Sequence, residues 1–435
     1  MVTLGIYVCI LIALLVGTWL RPAIALASLI CVKVLDFWGQ MAHPLLFQYD
    51  KFTNLFMVAL VGLGILRAQP FAFRPRRMLP WVQIATTCLF FYAAISLSWS
   101  LAFGKGVEQW SYNLPYIVLN LFLVPLLFRH TTDLQDGLCA VVYLGAVLAT
   151  LVDLFVDWEV RDIRTFWDPS QTIFDPLAFP EMAGLVTLAA ILLNHDRSLK
   201  WTAIRFLAIV ASIILVIKSE TRGQFILMVS IPMVFLPFSR PVSNLKQYVA
   251  WAFLGIGLVS VSLYALNSFT SIEDRWSSST FESDWDLRVH AASQLLHYWW
   301  RASSGDPAAF ILGLGNSASF AGNIAGYYTH VLTIEILGEE GIFGLGIFIL
   351  LLWVSFRTIR TAYNFSKYDP IQRGIWATLV ASFVFAFLLS FKQGSLLGNG
   401  THIFLFVILL ERQVAILTAE KNGTDGRIPS AGNVS

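Results

Sequence analysis

Three short stretches hold residues whose types and order could do chemistry. The first is Lys218-Ser219-Glu220-Thr221-Arg222-Gly223-Gln224, a turn between two apolar runs. Ser219 or Thr221 there can cap the helix that follows, so that its first N–H groups point outward beside Arg222. A helix N-terminus next to an arginine is an anion site. The same residues also suit a plainer role, with Lys218 and Arg222 snorkelling to a membrane surface. The second stretch, Ser283-Asp284-Trp285-Asp286-Leu287-Arg288, opens an amphipathic helix that runs to about Arg301. Leu287, Ala291, Leu295 and Tyr298 recur at three- and four-residue steps along one face of it. Arg288 can reach a phosphate, or pair with Asp284 one turn earlier. His290 and His297 on the same helix read as surface residues. The third stretch starts at His330, where an apolar run begins again. A neutral imidazole near pH 7 can take a proton from a hydroxyl, the alternative being an ordinary interfacial histidine.

Glycines surround this histidine. Gly338, Gly341 and Gly344 follow it at three-residue steps, which permits close helix packing. On a continuous helix Gly341 would lie roughly three turns from His330 on the same face, at about 3.6 residues per turn. Upstream, Gly313-Leu314-Gly315 has no strand–helix context for a dinucleotide. It reads as a tight turn that lets backbone approach the site.

Whatever positions these residues must be embedded in lipid. Hydrophobic residues make up 57% of the 435-residue chain and charged residues 13%, about half the usual share for a soluble domain. Apolar windows fall at about 3–20, 23–38, 52–66, 80–103, 112–128, 137–156, 178–194, 201–217, 223–238, 247–266, 329–356, 374–391 and 402–418. The second is short and carries Lys33 and Asp36. The expectation is an all-α polytopic membrane protein with 12 or 13 crossings, a single transmembrane domain over 1–418 and a polar tail over 419–435 that composition reads as disordered. The first window lacks a basic flank and a small-residue cleavage site, so it reads as a first helix.

Loop charge suggests an orientation. Arg67, Arg74, Arg76 and Arg77 share one side with Arg129, Arg197, Lys200, Arg240, Lys246 and the Arg357–Arg373 group, so that side is read as cytoplasmic, as is the tail. The long loops 157–177 and 267–328 are acidic and aromatic and fall on the other side, as do all three stretches above. The four cysteines lie in apolar runs with no CxxC or Cys/His pairing, and the outer acids form no recognisable metal motif. No GxxxxGK[ST] sequence and no basic-aromatic tract occurs, which speaks against ATP hydrolysis and nucleic-acid binding.

The order of these features resembles the O-antigen ligase and O-antigen/exopolysaccharide polymerase superfamily (the Wzy-C group). It runs from an Arg-Gly at the outer start of a helix to a long outer loop with an Asp-x-x-Arg-like opening. A GxG turn follows, then His-x10-Gly-x2-Gly. The resemblance covers about residues 219–350 closely and the hydropathy profile loosely. It implies around twelve helices and glycan transfer from an undecaprenyl-diphosphate carrier at a periplasmic site of the bacterial inner membrane. Arg222 and Arg288 would contact the diphosphate and His330 would be the base, with Gly313, Gly315 and Gly341 shaping the site. No metal and no cofactor is expected, since arginines can stabilise the departing diphosphate. Partners would be the lipid-linked oligosaccharide, an acceptor glycan (a lipid-linked repeat or lipid A-core), membrane lipids, a flippase and a chain-length regulator. Val331 stands where ligases usually carry Asn, Ser or Gln, and Met233 breaks the Arg-x10-Gly spacing of some polymerases. The balance leans to polymerase, with ligase as the alternative. A lipid-linked oligosaccharide flippase or proton-coupled carrier is a further alternative. It would place ionisable residues near the bilayer midplane, with Asp153 and Glu335 as candidates.

Overall fold

The computed structural model describes residues 2–49, 51–68, 80–156, 163–164, 172–173, 178–194, 198–219, 221–240, 246, 249, 253, 257, 260, 278–326, 329–398 and 400–425. The chain is an all-α, multi-pass membrane protein. Its helices are α1 (Val2–Leu20), α2 (Ala25–Ile30), α3 (Val32–Ala42), α4 (Pro44–Gln48), α5 (Phe52–Ala68), α6 (Trp81–Ser96), α7 (Phe103–Val118) and α8 (Thr131–Phe155). They continue with α9 (Ala178–Leu192), α10 (Leu199–Lys218), α11 (Arg222–Ser239), α12 (Ser278–Gly305), α13 (Pro307–Leu312), α14 (Leu332–Ser366), α15 (Pro370–Gln393) and α16 (Gly400–Asp425). One short antiparallel pair, Ile163–Arg164 with Thr172–Ile173, lies in the first long loop.

Among the described residues eight helices are long and apolar enough to cross a membrane, and a bent pair makes a ninth. Phe52–Ala68, Phe179–Leu192 and Gly223–Ser239 are shorter apolar helices. In hydrocarbon a backbone must satisfy its own polar groups, which is why each apolar run becomes a helix. Twelve of the thirteen sequence windows coincide with these elements; 247–266 lies largely outside the described residues. The weak second window is the bent pair, Pro22–Ile30 and Val32–Ala42, meeting at 70°. Its charges have partners: Lys33 Nζ donates to Glu181 (3.1 Å), and Asp36 accepts from Gln40 (2.8 Å). The last helix runs to Asp425, into the segment read from composition as a disordered tail, while 426–435 lie outside the described residues.

Two elements form the centre. In α9 nearly every side chain is buried, and in α16 Ile403 to Leu410 are buried without exception, as expected of helices that are apolar all round. Gly184 lets the Phe385 ring of α15 close on α9, and Gly145 does the same for Val186 between α8 and α9. α14 packs along α6, and α15 along α11 and α16. α7 departs from regularity: Pro115 lies inside it and a π-helical stretch, Leu119–Leu123, continues it. Proline and π turns are the usual causes of a kinked helix.

Candidate functional site

The chain between α13 and α14 is tied to the start of α14 through backbone. Leu314 N–H donates to the Gly338 carbonyl (3.0 Å) and Gly315 N–H to that of Glu339 (2.8 Å). Gly313 has φ 79° and Gly315 φ 89°, values that cost an L side chain dearly. A Cβ on Gly313 would overlap the Glu339 carbonyl, and one on Gly315 would overlap the Ser100 backbone. The GxG is therefore a turn of close backbone approach, as the sequence suggested. Gly341 differs from expectation. It has φ 66° and ψ −167°, a non-helical break inside α14, and its missing Cβ makes room for Ile311 and Gly313. His330 lies two residues before α14 with φ 59°. His330 and Gly341 therefore do not share one continuous helical face; a glycine there is used for a long-range backbone contact, not for helical register.

Two buried glutamates, Glu339 and Glu340, hold this turn, and a third, Glu335, holds another. Glu339 accepts from the N–H groups of Ser317 (2.6 Å) and Ser319 (3.0 Å), holding the start of the short 3-10 turn Ala318–Phe320. Glu340 accepts from Asn316 Nδ2 (3.1 Å). Asn316 also donates its N–H to Ser96 Oγ (3.1 Å) and accepts from Trp110 Nε1 (3.1 Å), so α6 and α7 meet at one residue. The Tyr92 hydroxyl lies 3.1 Å from the Leu312 carbonyl and 3.3 Å from that of Glu340. Glu335 accepts from Leu396 N–H (3.0 Å) in the turn after α15. Sequence reading missed Asn316, Glu339 and Glu340 as site-building groups. Two adjacent acids in an otherwise apolar helix were the available signal.

His330, just before α14, is half-buried. Burial first, and then the positive charge of Arg288, push its imidazole down to about 4. The ring is accordingly neutral at physiological pH. Arg288, half-buried on α12, is brought near it because α12 crosses the start of α14. Ala291, Ala292, Leu295 and Trp299 of α12 turn inward, and Leu295 fills the space over Gly338. Trp299 stacks on Phe310 (5.5 Å) and donates to the Ala309 carbonyl (3.1 Å), closing α12 on α13. His290 is exposed and sits 2.8 Å from Gln294, in keeping with a surface role.

Arg222 opens α11 as expected, with Thr221 at the cap position, yet no side chain caps that end; the Thr221 hydroxyl is 3.2 Å from that of Ser219. The side chains of Arg222 and Asp284 lie outside the described residues, so pairing of Arg288 with Asp284 does too. Beside Gly223 lies Lys392, 3.2 Å from where a Cβ would stand. Lys392 leads into the 394–398 turn, where Leu396 N–H binds Glu335. Asp153 and Glu335 sit in terminal turns of α8 and α14, and Lys218 Nζ donates to the Asp153 carbonyl (3.0 Å). Among the described residues no three His, Cys, Asp or Glu side chains are grouped to hold a metal ion. No protein-family model matches the chain, and no curated protein matches it either.

Proposed function

We propose that this protein is a membrane glycosyltransferase that polymerises undecaprenyl-diphosphate-linked repeat units at the periplasmic face of a bacterial inner membrane. The observation that carries the reading is a neutral, half-buried histidine beside an arginine, at the end of a membrane helix. The sequence resemblance to the polymerase and ligase superfamily supports it. In the reaction an acceptor sugar hydroxyl attacks the anomeric carbon of the donor. The bond from that carbon to the diphosphate oxygen breaks, the electron pair leaves with the diphosphate, and His330 takes the hydroxyl proton. Direct displacement inverts the anomeric centre. Arg288 faces the departing negative charge, and Arg222 at a helix N-terminus offers a second contact.

An imidazole pushed down to about 4 is available as an acceptor but weakly basic. A diphosphate seated at Arg288 cancels the charge that disfavours protonation and so raises the basicity of His330 when the donor is in place. Against a carrier, Asp153 and Glu335 occupy terminal turns of their helices, not positions midway along a helix.

Arg288→Ala should abolish most polymer at normal protein level, and Arg288→Lys should restore only part, because ammonium lacks the two-pronged geometry of guanidinium. Normal product from the alanine variant would reduce Arg288 to an interfacial anchor. A deletion strain should accumulate single repeats on the carrier; full-length carrier-linked polymer with bare lipid A-core would identify a ligase instead. For orientation, a cysteine at exposed Ser304 should react with an impermeant thiol reagent in spheroplasts and one at exposed Tyr368 should not. The reverse labelling would end the periplasmic reading.

A further inference from the structure

A second site of different character lies between α5 and α7, bounding a cavity of about 660 Å³. That is within the size range of small-ligand sites, roughly 300–1,000 Å³. Pro115 and the π-helical stretch lie along one wall of it. The chain at 119–127 packs against α5, and the open wedge lies between α5 and the Glu108–Leu119 stretch. The Tyr116 hydroxyl donates to Asn54 Oδ1 and bridges the wedge.

The lining changes character with depth. Lys51, Asn54, Glu108 and Gln109 line the upper part, with Glu108 paired to Lys105 (2.8 Å); Tyr112 and Tyr116 line the middle, and Met57, Val58 and Leu119 the floor. From Glu108 to Leu119 the cavity descends roughly 16 Å at about 1.5 Å per residue. Tyr112 is largely exposed and its ring lies 6.3 Å from that of Tyr116. Val58 is partly exposed beside fully buried Met57, so the floor opens sideways to lipid. Amides, a cation and a carboxylate above, aromatic rings in between and aliphatic side chains below suit one amphiphile: a hydroxyl-rich head on a hydrocarbon chain. Trp110, on another face of the same α7 turns, is hydrogen-bonded to Asn316, whose turn supports the His330 region. The wedge therefore opens at the same end of the protein as His330 and Arg288.

We propose that this wedge seats the acceptor, a second isoprenoid-diphosphate-linked saccharide, with its chain over Val58 and Leu119 and its sugars against Tyr112 and Gln109. This rests on the polymerase reading, in which donor and acceptor are both anchored in the membrane and need separate seats. The test is photolabelling of the full chain in lipid nanodiscs, using an undecaprenyl-diphosphate-linked monosaccharide with a diazirine on the isoprenoid chain. Label should map to residues 51–58 or 108–119. Unlabelled undecaprenyl-diphosphate monosaccharide should compete it, and an equal amount of phosphatidylglycerol should not. Val58→Trp, which fills the floor, should cut the label about tenfold, the order expected for overpacking a close-fitting site. Tyr112→Ala, at an exposed ring, should also weaken it, and Arg288→Ala should leave it in place. Absence of label there, equal competition by phosphatidylglycerol, or unchanged label in both wedge variants would overturn the proposal. Wedge labelling in a protein that forms no polymer from any lipid-linked donor would remove the polymerase reading and leave the amphiphile seat. Polymer formation with an unlabelled wedge would do the reverse.

Discussion

Gly341→Ala should leave almost no folded protein after extraction from the membrane. At φ 66° and ψ −167° the residue occupies backbone space that is essentially glycine-only, worth about 1–3 kcal/mol of strain for any other residue. The added methyl would also overlap Gly313 N and the Ile311 carbonyl, both backbone atoms with nowhere to go. Relief means breaking the hydrogen bonds of Leu314 and Gly315 to α14, and with them the seating of Glu339 and Glu340. A control lies five residues on. Gly346 has open space where a Cβ would stand, so Gly346→Ala should extract and elute as the parent does. Size-exclusion profiles and thermal midpoints of the two variants measure the difference; indistinguishable behaviour would mean that the break at Gly341 is not a structural requirement.

His330→Gln should insert normally, bind the lipid-diphosphate donor and transfer sugar about 10²–10⁴ times more slowly, the usual loss for a general base. Glutamine keeps hydrogen-bonding capacity but takes no proton near neutral pH, so it separates positioning from proton transfer. The parent enzyme should also show a distinctive acid limb. Protonated imidazole cannot act as the base, so kcat/KM falls as pH drops through the free-enzyme value of about 4. With the donor's negative charge beside Arg288 the imidazole is more basic, so kcat should fall at a higher pH than kcat/KM. A glutamine variant turning over near the parent rate would confine His330 to positioning, and the base would have to be sought among nearby carboxylates.

Sequence alone carried the architecture far because lipid imposes a simple rule: apolar runs of sufficient length become helices. It also singled out the second window as short and charged, and that window is the bent pair, whose break at Cys31 the sequence did not show. Loop charge and order placed His330 and Arg288 at one end of the bundle, and the structure brings that pair together. Long-range contacts were not legible. Glycines at three-residue steps looked like a helix face, whereas Gly341 exists for the backbone at 311–313. Glu339 and Glu340 find their partners some twenty residues upstream, and Trp110 finds Asn316 across 206 residues. The wedge at α5 and α7 likewise left only Pro115 as a sign, because its other wall is a helix formed about fifty residues earlier.

The break at Gly341 also bears on how the protein responds to the thickness of its membrane. A long crossing helix tilts to match its apolar length to the surrounding bilayer, and a rigid helix would swing whatever is attached to its end. α14 is interrupted at that point. Leu332 to Glu340 is fastened to the 313–319 turn and through it to α6 and α7, while the segment beyond Gly341 packs on α6 through Phe343 and Tyr92 (4.9 Å) and exposes Ile342, Ile349 and Leu350 on another face. The glycine is the place where the two segments can differ in tilt.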